Sequence, residues 1–469
     1  MYYDIRDIMS VEKDFKFPFK LHQFQYETIL ESVTKGNVLN RAPVGCGKTA
    51  MALYLGLFCS LKYNVRQILI IMPPSLIDQW DEFIQEVEGI DSVLIYRGSP
   101  VERKNMDLTN CSVVLVSNRI FVKDFKRFEE MGQKNRLFII GDELSLKSSN
   151  QTYRCWKQLI YRKLRLNPSF NQVFHSFTAL NATPVSDRLQ VYWWCSIFNP
   201  EAYPSLRVFK KMHVAKEDNW GKPLAYMAES YMDDRFDEMS VIPKNIKLQL
   251  PEQVYTKIPY SLTREHKRLY DKVLNAEFEK LDPSIFGAVD AMFSLLQRLV
   301  LCPSEFGLNI PSPIIEVIDQ CLDQMDEDDK VILFTRHVIV SEMLTQHYGK
   351  RAVAYFGKVS KTDKFENLKR FKSGEAEIMV ANLDSLSKGQ NLQVANQTIF
   401  VELPFRSDAM TQACGRTARQ GQQKSTCFFY LPVAKGTIQT RICDRLLSND
   451  MDLRKFNNNK KSLEEWLRM

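Results

Sequence analysis

Short, continuous runs of apolar residues recur along the first half of the chain, and amphipathic stretches of helical length separate them. The runs lie at residues 37–39, 67–72, 112–117 and 136–140, and the stretches include TAMALYLGLFCSL and LIDQWDEFIQEV. Continuous rather than alternating hydrophobicity is typical of strands that are covered on both faces. The pattern therefore predicts an α/β domain built on a parallel sheet.

The same pattern returns in the last third of the chain. From about residue 200 to 300 the sequence is charged and helical in character, and the apolar runs then restart at residues 330–336, 376–382, 397–403 and 427–432. We predict an α/β fold with two parallel-sheet domains in tandem and a mainly helical insert or connector between them. The predicted boundaries are residues 1–200, 201–305 and 306–469.

Composition narrows the class of protein only moderately. The 469 residues exceed one ordinary domain, and the net charge of +7 suits a phosphate-binding groove as well as an ordinary basic enzyme. Ten cysteines are scattered without any C-x-x-C spacing, which argues against a zinc site or a disulfide framework. No signal-peptide pattern and no apolar run of membrane-spanning length are visible, so we expect a soluble, cytoplasmic protein.

The stretch APVGCGKT follows the first apolar run directly and indicates a phosphate-binding loop, with Ala42 where the usual pattern has glycine. Gly45 and Gly47 would let backbone N–H groups approach phosphate oxygens. Lys48 would reach the terminal phosphates, and the Thr49 hydroxyl would ligate Mg²⁺. A chance match is the alternative, but the predicted strand before the loop and the helix after it favour nucleotide binding.

Two adjacent carboxylates, Asp142 and Glu143, follow the apolar run at residues 136–140 and a glycine. An acidic surface turn is the simplest interpretation of such a pair. Beside a phosphate loop, however, an acidic residue at the end of another strand is what a bound Mg²⁺ needs. We therefore predict that Asp142 is a metal ligand together with Thr49, and that Glu143 activates the attacking water.

The stretch QACGRTARQGQ places Arg416 and Arg419 three residues apart in the second predicted domain, on one face if the segment is helical. Arginines at this spacing usually belong to a solvated helix face. Here they accompany Gln412 and Gly415 in a domain without a phosphate loop of its own. We predict that both arginines stabilise the charge on a phosphoryl group that is being transferred.

In their order and spacing these motifs resemble those of superfamily 2 helicases of the SWI/SNF-type branch, from about residue 18 to 446. LHQFQYETI, LIIMPPSLIDQW, VVLVSNRIF and LNATPVSDRLQVYW carry the resemblance in the first half, with Thr183 and Pro184 in coupling positions. KVILFTRHVIVSEML, VANLDSLSKGQNLQVANQTIFVELPF, GRTARQGQ and KGTIQTRI carry it in the second half.

The resemblance implies two RecA-like domains, with ATP and Mg²⁺ as cofactors. The implied catalytic residues are Lys48, Asp142, Glu143, Arg416 and Arg419. The implied ATP-binding residues are Gln25, which would read the adenine, and Gly45, Gly47, Lys48, Thr49, Gly389 and Gln412.

The resemblance also implies a DNA partner that is held mainly through its phosphates. The candidate contacts are Ser75, Ser117, Asn118, Arg336, His337, Ser385 and Lys388. A histidine at a strand end is otherwise most often a satisfied cap. Trp80, Trp193 and Trp194 could stack on bases, but their amphipathic surroundings favour packing in the core.

Two further features bear on the predicted activity. Many relatives carry a histidine where this chain has Ser145, which concerns the coupling of hydrolysis to movement and not hydrolysis itself. The compact chain also resembles small viral and phage helicases that act on branched DNA.

We therefore predict an ATP-dependent DNA helicase or translocase that unwinds or branch-migrates forked or junction DNA in replication, recombination or repair. One alternative is a translocase on duplex DNA that remodels or strips bound protein without separating the strands. A second alternative is a nucleotide-gated DNA-binding switch that hydrolyses little ATP.

Overall fold

The computed structural model describes residues 3–144, 151–166, 175–182, 184–185, 188–217, 221, 223–244, 246, 250–282, 287–386 and 390–448. The chain packs as two units, Met1–Leu248 and Gln249–Met469. The segment 201–305, predicted as a connector, is thus shared between them: its first part folds with the first unit and the remainder with the second.

The first unit alternates strands and helices. Its strands are β1 (Val38–Asn40), β2 (Gln67–Met72), β3 (Val93–Tyr96), β4 (Val113–Ser117), β5 (Leu137–Asp142), β6 (His175–Leu180), β7 (Val214–Glu217), β8 (Pro223–Tyr226) and β9 (Ser240–Val241). Its helices are α1 (Ile5–Met9), α2 (Gln23–Lys35), α3 (Lys48–Tyr63), α4 (Ile77–Gln85), α5 (Pro100–Asn105), α6 (Asn118–Lys123), α7 (Phe125–Lys134), α8 (Gln151–Leu166), α9 (Leu189–Phe198), α10 (Leu206–His213) and α11 (Glu229–Glu238). A short 3₁₀ turn, Pro74–Leu76, leads into α4.

Seven of these strands form one sheet in the order β3-β4-β2-β5-β6-β1-β9, and every described pairing in it is parallel. β7 and β8 form a separate antiparallel pair. Residues 50–59 of helix α3 are all buried, because the helix packs against α2 as well as the sheet. Parallel strands all end at one edge, so the loops that follow them converge there.

The second unit repeats this architecture. Its strands are β10 (Glu252–Tyr260), β11 (Val331–Thr335), β12 (Ala352–Tyr355), β13 (Ile378–Asn382), β14 (Gln397–Phe400) and β15 (Thr426–Ala434). Its helices are α12 (Arg264–Lys280), α13 (Ala288–Leu301), α14 (Pro313–Leu322), α15 (Val338–Tyr348), α16 (Lys361–Ser373), α17 (Leu383–Leu386), α18 (Ser407–Cys414) and α19 (Ile438–Leu447). The sheet order is β10-β15-β14-β11-β13-β12, again with parallel pairings throughout the described strands.

The predicted fold class, two parallel-sheet α/β domains in tandem, is confirmed. The described part of segment 201–305 contains the four helices α10 to α13, and strands as well. It contributes the β7–β8 hairpin and β9 to the first unit and the nine-residue strand β10 to the second sheet. No helix within the described ranges is long and apolar enough to cross a membrane.

Candidate functional site

Three neighbouring strands end side by side at one edge of the first sheet. In the register of the sheet, Leu180 of β6 lies opposite Asn40 of β1 on one side and Asp142 of β5 on the other. The next residue, Asn181, donates its backbone N–H to the Asn40 carbonyl at 3.1 Å. The loop after β1 and the acidic loop after β5 therefore flank the end of β6.

The loop between β1 and α3 has a backbone that favours glycine at two positions. Gly45 and Gly47 have φ of 86° and 77°, both in the left-handed region. A Cβ at Gly47 would also lie 2.4 Å from the Nε2 atom of Gln25. At the start of the loop, the Asn40 side chain accepts the Ala42 N–H at 2.9 Å. A hydrogen bond thus restrains the start of the loop, and the rest of the loop has the glycine-dependent backbone conformation of a phosphate-binding loop.

Gln25 braces this loop from α2. Its side chain is only 4% exposed, and Nε2 donates to the Cys46 carbonyl at 3.0 Å. Its Oε1 accepts the His22 N–H at 2.7 Å, which completes a capping box at the start of α2. The structure therefore shows Gln25 positioning the phosphate loop, while its contact with an adenine stays a prediction.

Lys48 is the first residue of α3, and its side chain lies along its own loop. Its Nζ donates to the carbonyls of Ala42 at 2.9 Å and Pro43 at 3.2 Å. Thr49 follows it and is half-buried at the helix start. Both side chains thus stand where the sequence predicts a phosphate and a cation to bind.

Asp142 is buried, at 7% exposure, and its Oδ2 accepts the indole N–H of Trp80 at 2.8 Å. Burial first, and then the charge of Glu143, raise the pKa of Asp142 to about 6, against the opposing effects of the Trp80 hydrogen bond and the Lys48 charge. The charge of Lys48 therefore acts on Asp142, so the two predicted motifs converge within the first unit.

The residues at this edge fit a magnesium ion. A buried carboxylate whose pKa is raised by burial and by a second carboxylate is a group that a divalent cation would stabilise. Thr49 and Asp142 offer a hydroxyl and a carboxylate oxygen, which are the hard ligands that Mg²⁺ prefers. Thr49 and Asp142 are the residues that would hold it.

The acidic loop has an unusual backbone. Glu143 has φ of 48°, a left-handed conformation that is uncommon for a residue with a side chain. Its N–H donates to the Leu180 carbonyl at 3.0 Å, and the Asn181 side chain donates to the Leu144 carbonyl at 3.1 Å. These two hydrogen bonds from β6 and its extension hold the conformation. The Glu143 side chain is half-buried, whereas Asp142 is buried.

In the second unit, Arg416 and Arg419 follow α18 rather than belonging to it. The helix ends at Cys414, so the condition for a shared helix face, a helical segment, is not met. Arg416 is 8% exposed and its carbonyl accepts the Leu392 N–H at 3.1 Å. The guanidinium of Arg419 donates to the Asn391 side chain, and burial lowers its pKa. Gln412 lies in the last turns of α18.

The predicted DNA-contact residues at the end of β11 form a network around a fully buried carboxylate. Glu402 accepts the backbone N–H groups of Arg336 at 2.6 Å and His337 at 2.8 Å. The His337 ring bonds Glu402 through Nδ1 and Ser294 through Nε2, the latter at 2.6 Å. The Arg336 guanidinium lies 4.2 Å from the Phe405 ring centroid. Both His337 nitrogens are thus engaged within the second unit, and the side chain makes no cap hydrogen bond to α15, which begins at the next residue.

The remaining DNA-contact candidates differ in exposure. Ser75 is exposed, and Asn118 and Ser385 are half-buried. Ser117 is only 3% exposed and its hydroxyl accepts the Ile120 N–H, which makes it the cap of α6 rather than an accessible contact. Lys388 and Gly389 lie outside the described residues, as do Thr183 and Ser145.

The three tryptophans are packed in the core, as the sequence favoured. Trp80, Trp193 and Trp194 are 1%, 9% and 1% exposed. The hydrogen bond from Trp80 to Asp142 was not predicted, because residues 62 positions apart give no local signal of contact. Glu402 was missed for the same reason.

The fold and this edge together define a helicase-type ATPase. A model of the SNF2-related domain matches residues 42–303, and a model of the helicase conserved C-terminal domain matches residues 313–421. The chain belongs to the SNF2-related family within superfamily 2 of the helicases.

Several curated proteins are similar over most of this chain. An uncharacterized ATP-dependent helicase of Mycoplasma pneumoniae is 23% identical over 455 residues, which are 93% of this chain and 42% of that protein. The uncharacterized ATP-dependent helicase YqhH of Bacillus subtilis is 22% identical over 90% of this chain and 76% of its own length. The chromodomain-helicase-DNA-binding protein 1-like of Danio rerio is 21% identical over 92% of this chain and 43% of its own length. The chain spans about two fifths of the two mycoplasma relatives it matches.

Among solved structures, the chain is similar to the SWI2/SNF2 ATPase core of Sulfolobus solfataricus in complex with dsDNA. That match has 16% identity and a TM-score of 0.43, and it covers 97% of each chain.

Proposed function

We propose that this chain is a DNA-stimulated ATPase that uses hydrolysis to move along DNA. The observation that carries the proposal is the convergence of the phosphate loop and the acidic loop at one sheet edge, on either side of the end of β6. Membership of the SNF2-related family supports the same class of activity.

Each residue of the first unit would have a distinct role in hydrolysis. Backbone N–H groups of the loop around Gly45 and Gly47 would cradle the phosphates, and Lys48 would leave its loop carbonyls to reach the terminal phosphates. Glu143 would take a proton from the attacking water. A bound Mg²⁺ would neutralise the negative charge on the phosphate oxygens.

Hydrolysis would also require the second unit. A phosphoryl group in transfer spreads negative charge over its oxygens, and guanidinium groups stabilise that charge. Arg416 and Arg419 are the candidates, and Asn391 holds one of them by a hydrogen bond. A switch that hydrolyses little would have no use for such a pair, so the motor is the better proposal.

DNA is the proposed partner because the chain carries candidate phosphate contacts, has a net charge of +7 and has relatives named as DNA-binding helicases. We propose branched DNA, forks or junctions, as the first candidate substrate. The match to the SNF2-related domain favours the second candidate, translocation on linear duplex without strand separation.

The experiment is an ATPase assay with the purified full chain and no nucleic acid, single-stranded, duplex, forked and four-way DNA, or RNA. DNA should stimulate turnover, and RNA should not. Lys48→Ala should abolish turnover with little change in melting temperature, because the Lys48 side chain is half-buried and its Nζ donates to two carbonyls of its own loop. Lys62→Ala, at the exposed end of the same helix, is the control that should keep full activity. Undiminished ATPase activity in folded Lys48→Ala would overturn the site assignment.

A further inference from the structure

The indole of Trp80 makes a buried polar contact that the hydrolysis scheme above does not use. Trp80 is 1% exposed, and its N–H donates to the Asp142 Oδ2 at 2.8 Å. A buried indole N–H usually has an acceptor, and any backbone carbonyl would serve. Here the acceptor is instead the carboxylate that is proposed to bind Mg²⁺, so the bond fixes the rotation of that carboxylate.

Trp80 also connects Asp142 to a segment with an exposed face. It lies on α4, which continues directly from the 3₁₀ turn Pro74–Leu76, so five positions separate it from the exposed Ser75. Leu76 and Ile77 are buried between the two, and α4 packs against the turn and against β4. A rigid helical path therefore links the Ser75 surface to the metal-binding edge.

We propose that Trp80 is a positioning residue: its indole N–H orients Asp142 for Mg²⁺ and ties that orientation to the Pro74–Leu76 turn. The proposal rests on the proposed function and adds a route by which DNA at this turn changes nucleotide hydrolysis. A bound DNA strand that displaced the turn would move α4. The hydrogen bond from the Trp80 indole would then shift the Asp142 carboxylate.

The test removes the N–H and keeps the ring. Trp80→Phe leaves an aromatic side chain in the same core position, beside Phe83. Trp156→Phe is the matched control, because Trp156 is also 1% exposed and packs at Gly141, next to Asp142, but its indole N–H has no hydrogen-bond partner among the described residues. Both variants lose the same atoms from the same unit.

The first readout is the binding of a fluorescent, slowly hydrolysed ATP analogue, measured in EDTA and across a titration of Mg²⁺. In Trp80→Phe, affinity in EDTA should equal that of wild type, and the gain from Mg²⁺ should fall about tenfold, as expected when a charged group loses one hydrogen bond. Trp156→Phe should show the full gain. An affinity in EDTA equal to that of wild type also shows that the site is folded. If Trp80→Phe does not fold, Trp80→Tyr is used in its place.

The second readout is a double-mutant cycle with Asp142→Asn. If Trp80 acts through Asp142, its substitution should not change the Mg²⁺ dependence further in the Asp142→Asn background. The third readout is the ratio of ATPase rates with and without duplex DNA, which should fall in Trp80→Phe and not in Trp156→Phe.

The outcomes separate this proposal from the one it rests on. If wild type does not bind the ATP analogue, the proposed function fails. If wild type binds it with a gain from Mg²⁺, and Trp80→Phe and Trp156→Phe show the same gain, only the role of Trp80 is refuted. An additive effect in the cycle would likewise refute it, since Trp80 would then act through the core and not through Asp142.

Discussion

At the scale of single residues, Asp142 and Glu143 are adjacent in sequence and differ in environment. Asp142 ends a buried strand and is held by the Trp80 indole, whereas Glu143 has a left-handed backbone conformation and is half-buried. A reaction in which one carboxylate binds a cation and another lies near a water molecule requires two different environments of this kind. The separate roles proposed for the two residues follow from this geometry.

Substitution by the matching amides should separate these roles. Glu143→Gln keeps shape and removes the base, so Mg²⁺-dependent nucleotide binding should persist while hydrolysis falls by about two orders of magnitude or more. Asp142→Asn should weaken the binding that depends on Mg²⁺. Nucleotide binding with and without Mg²⁺, and ATPase turnover, are the measurements. Identical binding by the two variants would show that the division of roles is wrong.

Gly141 shows how tightly the residues before this pair are packed. A Cβ at this position would lie 2.2 Å from Leu144 Cδ1 and 2.7 Å from Trp156 Cζ2, and both side chains are buried. Gly141→Ala should therefore lower the free energy of unfolding by roughly 1–3 kcal/mol, because the core is already filled. Gly357→Ala is the control, since nothing lies within 4 Å of its Cβ. Equal stability of the two variants in denaturant unfolding would contradict this packing.

At the scale of elements, the hydrophobic pattern predicted the interior strands and missed the edges. The eight apolar runs correspond to β1, β2, β4, β5, β11, β13, β14 and β15, all of which have a neighbour on both sides. The strands at the edges, β3, β9, β10 and β12, were not predicted. Nine-residue β10 is largely exposed or half-buried, so its sequence lacks a continuous apolar run.

One interior strand, β6, was also missed, and its sequence explains why. HSFTAL mixes polar and apolar residues, although Phe177, Thr178, Ala179 and Leu180 are all buried. The hydroxyl of Thr178 donates to the Val38 carbonyl at 3.0 Å, so a polar residue is satisfied inside the sheet. A pattern of hydrophobicity alone does not show that such a partner exists.

The sequence likewise predicted the parts of the site that lie within short motifs, and it missed the contacts from distant segments. The phosphate loop and the acidic pair each lie within a few consecutive residues, so their spacing predicted them. The braces come from distant segments: Gln25 on α2 holds the loop at Cys46, and Trp80 on α4 holds Asp142. Such contacts depend on how α2 and α4 pack, which no short motif encodes.

At the scale of the whole molecule, the proposed hydrolysis draws on residues of both units. The phosphate loop and the carboxylates belong to the first unit, and Arg416 and Arg419 belong to the second. Arg416→Lys and Arg419→Lys keep the charge but lose the planar, forked donors of arginine. ATPase turnover should fall about a thousandfold, while nucleotide affinity should change little.

The control for this prediction is Arg406→Lys. Arg406 lies at the start of α18 and forms an exposed ion pair with Asp408, so its loss should leave turnover unchanged. Turnover near the wild-type rate in both Arg416→Lys and Arg419→Lys would place the stabilising groups elsewhere.

The preferred structure of the DNA substrate depends on how the complete chain engages a strand, so this question concerns the whole molecule. Contacts that are mainly to phosphates give little sequence preference, so DNA shape would set how well the chain binds. If branched DNA is the substrate, ATP should drive unwinding or branch migration of forks and four-way junctions in a strand-displacement gel. The Glu143→Gln variant should show neither activity. If the chain translocates on duplex without strand separation, linear duplex should stimulate ATPase activity fully, and a triplex-forming strand should be displaced. Triplex displacement with no unwinding or migration of any branched substrate would reverse the proposed preference in favour of the second candidate, and would leave the ATPase assignment standing.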